Sequence, residues 1–208
     1  MFAGLHKPTE GKLLYQGKPI RKPPAGIGVM FQRDLLLEWR TAIDNVLMQF
    51  EMRGQDPKPH RETALELLHS VGLDKHVNDY PRQLSGGMRQ RVAICRGLVH
   101  NPDLLLMDEP FSALDAITRE KLAIDLERMA TETQKTVVLV THSLEEAVFL
   151  GDEVLVMSGR PGRIATRISI DIPRPRPKWP RGDSEFTPYI TRVFDALQDA
   201  GAFAYDED

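Results

Sequence analysis

The chain has 208 residues, with 30 acidic and 27 basic side chains and a formal net charge of -3 at pH 7. This length favours one domain, alone or with a small appendage, and the charge balance argues weakly against a dedicated nucleic-acid-binding protein. The one cysteine, Cys95, excludes an intrachain disulfide and fits a reducing, cytosolic location. No apolar run reaches the roughly 20 residues that span a bilayer, and the N-terminus does not resemble a signal peptide. We therefore expect any membrane association to be peripheral, through a partner.

Short strands open the chain and two helices follow. Residues 12–16 and 27–31 have the composition of strands, and the Pro- and Gly-containing segment between them predicts a turn. Apolar residues at helical spacing then predict amphipathic helices over 41–53 and 61–71.

The second half of the chain alternates strands with helices. DLLLMDEP (103–110) and TVVLVTHS (136–143) contain apolar runs without alternation, as in strands that are buried on both faces of a parallel sheet. DEVLVMS (152–158) predicts a third strand, and helices are predicted over 116–132 and 143–150. The alternation implies an α/β fold, which a helical insert at about 41–100 interrupts.

Residues 172–182 are rich in proline and arginine. This composition favours an extended, solvated linker over a binding peptide. After the linker, helical spacing predicts a small helix that docks on the domain or on a partner. Its apolar face would carry Ile190, Val193, Phe194 and Leu197.

Two acids come directly after a predicted strand. Ligands of open α/β sheets bind at the carboxyl ends of the strands, where Asp108 and Glu109 would lie. One carboxylate could help to hold Mg²⁺ while the other orients or deprotonates an attacking water. Taken alone, a surface turn with solvated acids explains this junction equally well.

The segment LSGGMRQR (84–91) predicts the start of another helix, whose apolar face would carry Met88, Val92, Cys95 and Val99. Ser85 is a good N-cap, and Gly86 and Gly87 would let backbone N–H groups approach an anion such as phosphate. Taken alone, a capped helix without a ligand is the simpler interpretation of Ser-Gly-Gly.

The combination of motifs is more specific than any one of them. In order and spacing they resemble the ATPase subunits of ATP-binding-cassette (ABC) transporters. The resemblance extends from Gly4 to Ile170 and is closest to bacterial importers of nitrate, sulfonate, taurine and related small solutes. The motifs that carry it are LSGGMRQR (84–91), LLLMDEP (104–110), SALD (112–115), VTHS (140–143) and, for the subgroup, SGRPGRIATRISIDIPRPRP (158–177).

The resemblance implies a P-loop NTPase-like ABC ATPase core with an incomplete sheet, and an α-helical subdomain that carries the signature motif. The core would comprise residues 1–40 and 101–171, and the helical subdomain residues 41–100. Residues 172–208 would form the Pro/Arg linker and the C-terminal helix.

The resemblance also implies roles for four residues near the nucleotide. Gln32 would contact Mg²⁺ and the attacking water, and the segment after it would face the permease. Asp108 would support Mg²⁺, Glu109 would act as the catalytic base, and His142 would contact the γ-phosphate.

Four further residues would act across a dimer interface. Ser85, Gly86 and Gly87 resemble the signature that clasps the γ-phosphate of ATP held by the opposite subunit. Asp115 matches the loop that crosses the interface.

No stretch matches the phosphate-binding loop G-x-x-x-x-G-K-[ST]. In GKLLYQGKP (11–19) the two glycines are one residue too far apart, and Pro19 stands where a hydroxyl should bind Mg²⁺. We expect a strand, a turn and the start of another strand there, and a chain that begins inside the helix that follows the loop in the family. A misplaced start site, a truncated gene and a half-site protein are the alternative explanations. The chain alone is expected to be inactive, because the loop and its lysine would be missing. It is also expected to be poorly soluble, because the strand that leads into the loop would be missing from the sheet.

The implied assembly is a homodimer, or a pair with an intact paralogous ATPase, that hydrolyses ATP with Mg²⁺. It would drive transmembrane permease subunits at the cytoplasmic side of the membrane, act indirectly with a periplasmic or extracellular solute-binding protein, and bind no nucleic acid. A DNA-repair cassette would need long coiled coils, and only about 50 residues without heptads separate Gln32 from Leu84. The alternative function is a non-catalytic partner subunit that supplies the signature motif in trans.

Overall fold

The computed structural model describes residues 1–112, 114–176, 178–180 and 182–201. The chain divides into two compact units. The first comprises Met1–Leu122 and Thr133–Val140, and the second comprises Ala123–Glu132 and Thr141–Asp208. The division into residues 1–40 with 101–171, 41–100 and 172–208 stays a prediction, and part of its last segment, 202–208, lies outside the described residues.

The first unit begins with a small antiparallel hairpin. Strand β1 (Leu14–Tyr15) pairs with β2 (Lys18–Pro19). The two residues between them, Gln16 and Gly17, have φ values of 49° and 74°, as a type I′ hairpin turn requires. The expectation of a strand, a turn and a strand over 11–19 is confirmed, and Gly17 serves the turn.

A three-stranded parallel sheet forms the centre of the first unit. Its order is β3 (Ile27–Met30), β4 (Leu104–Asp108), β5 (Thr136–Val140). Gly28 allows helix α3 (Gly86–Leu98) to lie close to β3, because a Cβ at Gly28 would come within 2.4 Å of the carbonyl oxygen of Gly97.

The expectation that β5 is buried on both faces is wrong. Val138 and Val140 are 39% and 52% exposed, whereas Leu105 and Met107 of β4 are buried. The reason lies in the faces of the sheet. Val138 and Val140 pair in register with Leu106 and Asp108, which are intermediate and exposed, so this face is less covered than the face of Leu105 and Met107.

Helices α1 (Ala42–Glu51) and α2 (Arg61–Ser70) occupy the predicted segments. Thr41 caps α1, since its side chain accepts a hydrogen bond from the backbone N–H of Asp44. Both helices pack with α3, and the shared apolar core includes Ile43, Val46, Phe50, Leu68, Val92 and Ile94.

Helix α4 (Ala116–Thr133) begins in the first unit, and its residues from Ala123 to Glu132 belong to the second. The second unit also contains α5 (Leu144–Leu150), β6 (Glu153–Met157), β7 (Ile164–Ser169) and α6 (Thr187–Asp199). Strands β6 and β7 pair antiparallel, and β7 is an element that the sequence pattern did not predict. Helix α6 packs against α5 and this ribbon through the buried Val193.

The interpretation of 172–182 as a solvated linker is wrong for its first part. Arg176 is only 2% exposed. Its guanidinium donates to the carbonyl oxygens of Phe149, Gly151 and Ile172 at 2.9, 2.8 and 2.7 Å. These acceptors lie at the end of α5 and beyond β7, where free carbonyl groups suit the five donors of an arginine. Pro177 and Arg181 lie outside the described residues.

Among the residues that the structure describes, no helix is both long and apolar enough to cross a membrane.

Candidate functional site

The side chains of Gln32 and Glu109 are joined by a hydrogen bond. Gln32 Nε2 donates to Glu109 Oε2 at 3.0 Å. Gln32 follows β3 and Glu109 follows β4, and the two strands are parallel neighbours. Because parallel strands end at the same edge of a sheet, this topology brings together residues that are 77 positions apart.

The backbone of Glu109 is in the left-handed region, with φ at 43°. Its N–H donates to the carbonyl oxygen of Val140 at 2.8 Å, which holds the turn after β4 against the end of β5. A non-glycine residue in this conformation costs about 1–3 kcal/mol, and such strain is typical of functional sites. The turn therefore directs the Glu109 side chain at the expense of local stability.

Asp108 is the last residue of β4, and its side chain is exposed. The described residues contain no cluster of three or more His, Cys, Asp or Glu that could hold a metal ion by itself. Mg²⁺ is usually held by one or two carboxylates together with substrate phosphates. Asp108 beside Glu109 fits that kind of shared site and does not fit a metal cage built from protein ligands alone.

Helix α3 presents an open N-terminus. Ser85 caps it, accepting a hydrogen bond from the N–H of Met88 at 3.3 Å, and the first turn contains no acidic residue. Gly86 is exposed. Gly87 touches α4, since a Cβ at Gly87 would lie 2.5 Å from Thr118 Cγ2. Free N–H groups at such an end favour a negatively charged ligand.

The N-terminus of α4 lies next to the first turn of α3. Asp115 caps α4, with its Oδ1 accepting from the N–H of Thr118 at 3.0 Å. The hydrogen bonds from Thr118 lower the pKa of the Asp115 carboxyl below its ordinary value. Asp115 is therefore ionised at neutral pH and fixed next to the residue that Gly87 contacts.

His142 belongs to the second unit, where it follows β5 in the chain and is exposed. The next residue, Ser143, caps α5 by accepting from the N–H of Glu146 at 3.3 Å. The structure thus joins Gln32 with Glu109 inside the first unit and places His142 in a separately packed unit.

The sequence pattern does not predict that a glutamine of α3, here termed the signature helix (Gly86–Leu98), is buried. Gln90 is 5% exposed, and its side-chain amide donates to the carbonyl oxygen of Pro110. The contact ties α3 to the turn that carries Glu109. A polar residue in the fifth position of a helix is an ordinary surface pattern, so the sequence contained no signal for this contact.

Comparisons with known proteins show the family of the chain. The family model described as "ABC transporter" matches residues 1–112. The chain belongs to the ABC transporter family. An ABC transporter ATP-binding protein of Methanocaldococcus jannaschii, itself named as uncharacterized, is 45% identical over 199 residues, which cover 96% of this chain and 73% of that protein. This cassette also resembles a solved dimeric ATP-binding cassette in a post-hydrolysis state with ADP and Pi, at a TM-score of 0.69 and 32% identity over 81% of this chain and 77% of that one.

Several relatives of the cassette have names that state a transported solute. The taurine import ATP-binding protein of Rhizobium johnstonii is 48% identical over 173 residues, covering 83% of this chain and 66% of the relative. An aliphatic sulfonates import ATP-binding protein of Rhodococcus jostii is 44% identical over 200 residues, covering 96% and 76%. The chain thus spans 66% of the length of the taurine relative and 76% of that of the sulfonate relative. The predicted resemblance to ABC ATPases and the α/β cassette fold are confirmed.

Proposed function

We propose that this cassette is the ATP-hydrolysing subunit of an ABC importer for a small solute of the nitrate, sulfonate or taurine class. It would act on permease subunits at the cytoplasmic side of the membrane. A periplasmic or extracellular solute-binding protein would deliver the solute to those permease subunits. The contact between Gln32 and Glu109 is the observation that supports the proposal, because an amide and a carboxylate at hydrogen-bond distance could together orient and deprotonate a water. The names of the taurine and sulfonate relatives support the solute class.

In the proposed reaction a water oxygen attacks the γ-phosphorus of ATP, and its proton passes to the Glu109 carboxylate. The bond from the γ-phosphorus to the bridging oxygen breaks, and ADP and phosphate leave. Gln32 restrains the Glu109 carboxylate through the 3.0 Å hydrogen bond, which favours attack from one direction. Asp108, with help from Gln32, would hold Mg²⁺, which neutralises phosphate charge when it is bound.

The remaining site residues would act in a dimer, formed with a second copy or with an intact paralogous ATPase. Ser85, Gly86 and Gly87 would bind the γ-phosphate of ATP that the opposite subunit holds, since Ser85 and Gly86 are exposed at the start of α3. Asp115 would cross the interface beside them, and His142 would contact the γ-phosphate.

The sequence contains no G-x-x-x-x-G-K-[ST] motif, and residues 11–19 contain a hairpin instead. We therefore propose that this chain alone does not turn over ATP. The second candidate function, a non-catalytic partner that supplies its signature in trans, is favoured by the complete and exposed cap at Ser85.

Steady-state phosphate release tests both functions. The purified chain would be assayed with Mg-ATP alone and then mixed with a full-length relative, such as the Rhizobium johnstonii protein. Each assay would be repeated with Glu109→Gln, with Ser85→Ala and with Ser70→Ala, a control at an exposed serine of α2.

We expect no turnover by the chain alone and stimulation of the relative that requires Ser85 but not Ser70. Stimulation that also falls with Glu109→Gln supports the hydrolytic role, whereas indifference to Glu109 supports the non-catalytic partner. Turnover by the chain alone that Glu109→Gln abolishes would contradict the proposed inactivity. A mixture that never exceeds the rate of the relative contradicts both functions.

A further inference from the structure

Two arginines of the signature helix hold the residues that follow Gln32. Arg89 Nε donates to Asp34 Oδ2 at 3.0 Å. Arg96 lies two turns further along α3, where its Nη1 donates to the carbonyl oxygen of Leu35 at 2.7 Å and its Nη2 donates to that of Asp34. Residues 34–37, here termed the linking segment, are thus attached to α3 at two levels.

The second attachment is buried. Arg96 is 8% exposed although it carries a charge. Burial lowers the pKa of its guanidinium, and the nearby Asp34 carboxylate opposes that shift. A buried guanidinium without acceptors would be strongly destabilising, so the carbonyl groups of the linking segment cannot leave Arg96 at low cost.

The other side of the linking segment is attached to α1. The buried Asn45 accepts from the N–H of Leu37 at 2.7 Å and donates to the carbonyl oxygen of Leu37 at 3.2 Å. Inside the segment, the N–H of Leu36 donates to Asp34 Oδ1 at 3.2 Å. The linking segment is therefore a rigid bridge between two helices, and not a free loop.

The linking segment leads directly to an exposed aromatic residue. Trp39 is 72% exposed, and Leu35, at φ 48°, is 52% exposed. Gln32 lies just before the segment and contacts Glu109. Arg89 holds the Asp34 carboxylate, and Arg96 holds the backbone carbonyl groups of Asp34 and Leu35. A displacement of α3 would therefore carry the linking segment, and with it the surface around Trp39.

We infer that Arg89 and Arg96 are positioning residues that make the signature helix and the linking segment move as one body. Binding of a ligand at Ser85 would therefore change the surroundings of Trp39. The inference rests on the proposed function for the identity of that ligand, the triphosphate held by an opposite subunit. The attachment itself depends only on the contacts of the free chain.

Hydrogen exchange on the full chain without nucleotide tests the attachment. In Arg89→Gln and in Arg96→Gln, we expect amide exchange at residues 35–37 to accelerate by about tenfold, the effect of losing a hydrogen bond to a charged group. Arg91→Gln is the matched control, since Arg91 lies on the same helix but donates to the carbonyl oxygen of Val71. Unchanged exchange at 35–37 in both variants would overturn the inference.

Tryptophan fluorescence tests the transmission. The chain has two tryptophans, and Trp179→Phe leaves Trp39 as a single reporter. Mixed with a full-length relative and Mg-ATP, the reporter chain should change its Trp39 emission, and Ser85→Ala should abolish the change. Arg89→Gln should reduce the change several-fold while the Ser85-dependent stimulation of turnover persists, and Arg91→Gln should leave both intact.

The exchange and fluorescence experiments together distinguish a failure of the attachment, of the transmission and of the proposed function. A full Trp39 response in Arg89→Gln and Arg96→Gln would overturn the transmission even if exchange had accelerated. Absence of any Ser85-dependent turnover with the unsubstituted chain would count against the proposed function, and the exchange experiment would still decide the attachment. Should Arg96→Gln fail to fold, Arg89→Gln and Asp34→Asn still test the first attachment, because they remove the contact between Arg89 and Asp34 from either side.

Discussion

Gln90 donates a hydrogen bond from its side-chain amide to the carbonyl oxygen of Pro110, and so fastens the signature helix to the turn that carries Glu109. The glutamine is buried, which means that this carbonyl group has little access to water as a substitute. The helix that begins at Ser85 and the turn that carries Glu109 are therefore coupled within one subunit, before any second subunit is present.

Replacing Gln90 with alanine should destabilise the chain. The Pro110 carbonyl would lose its donor in a buried place, and we expect the free energy of unfolding to fall by about 1–3 kcal/mol. Urea denaturation followed by circular dichroism measures this change. Gln55→Ala, at an exposed position, should be neutral within about 0.5 kcal/mol. Equal effects of the two substitutions would show that the contact with Pro110 contributes nothing.

Replacing Gly87 with alanine should destabilise the chain unless the side chain at position 118 is made smaller. Gly87→Ala places a Cβ 2.5 Å from Thr118 Cγ2, and such overpacking costs about 1–3 kcal/mol. Thr118→Ser removes the opposing methyl group and should recover most of that loss. A double-mutant cycle from urea denaturation measures the coupling, and additive effects would rule out the predicted steric conflict between α3 and α4.

The left-handed backbone of Glu109 should reverse the usual order of stability between alanine and glycine. At this position glycine should be more stable than alanine by about 1 kcal/mol, because only glycine adopts a φ near 43° without strain. Glu66, an exposed residue in the middle of α2, provides the control, since glycine there should be less stable than alanine by about 1 kcal/mol. The same order at both positions would contradict the strained turn.

Cys95 should be protected from alkylation in the folded chain. It is fully buried, and burial raises the pKa of its thiol from 9.0 to about 12. At pH 8 we expect iodoacetamide to react at least about 100-fold more slowly with the native chain than with the urea-unfolded chain. Mass spectrometry of timed samples measures both rates, and similar rates would show that α3 is not packed as described.

The same thiol gives stability a pH dependence. Because its pKa is higher in the folded chain than in the unfolded chain, its contribution is complete below the unfolded pKa near 9.0. The contribution is lost as the pH rises from there toward about 12, where the folded thiol would also ionise. Cys95→Ala should reduce this alkaline loss of stability.

Strand β4 and the acids that follow it were predictable because their signal is local. An apolar run of strand length followed by Asp108 and Glu109 predicts a sheet edge with carboxylates, whatever lies elsewhere in the chain. The resemblance to ABC ATPases added Gln32, but the 3.0 Å contact between Gln32 and Glu109 depends on which strands are neighbours. Strand order is a non-local property that no short stretch encodes.

The buried polar residues could not be predicted for a related reason. The helical spacing on α3 predicts that Val92 and Cys95 are buried, and it does not predict burial of Gln90 or Arg96. Their acceptors are backbone carbonyl groups, which every residue has, so the sequence does not mark the partner. Arg176 looked like a solvated residue of a Pro/Arg segment for the same reason, and it lies among carbonyl groups of the second unit.

Nucleotide-dependent association with a full-length relative is the most direct test of the proposed role of α3. Sedimentation of the mixture should show a heterodimer with Mg-ATP and none with ATP omitted, because the phosphates would complete the contact with Ser85. Ser85→Arg should abolish the heterodimer by obstructing the helix start, and Ser70→Arg should leave it unchanged. Association that is independent of ATP, or that persists in Ser85→Arg, would contradict the account.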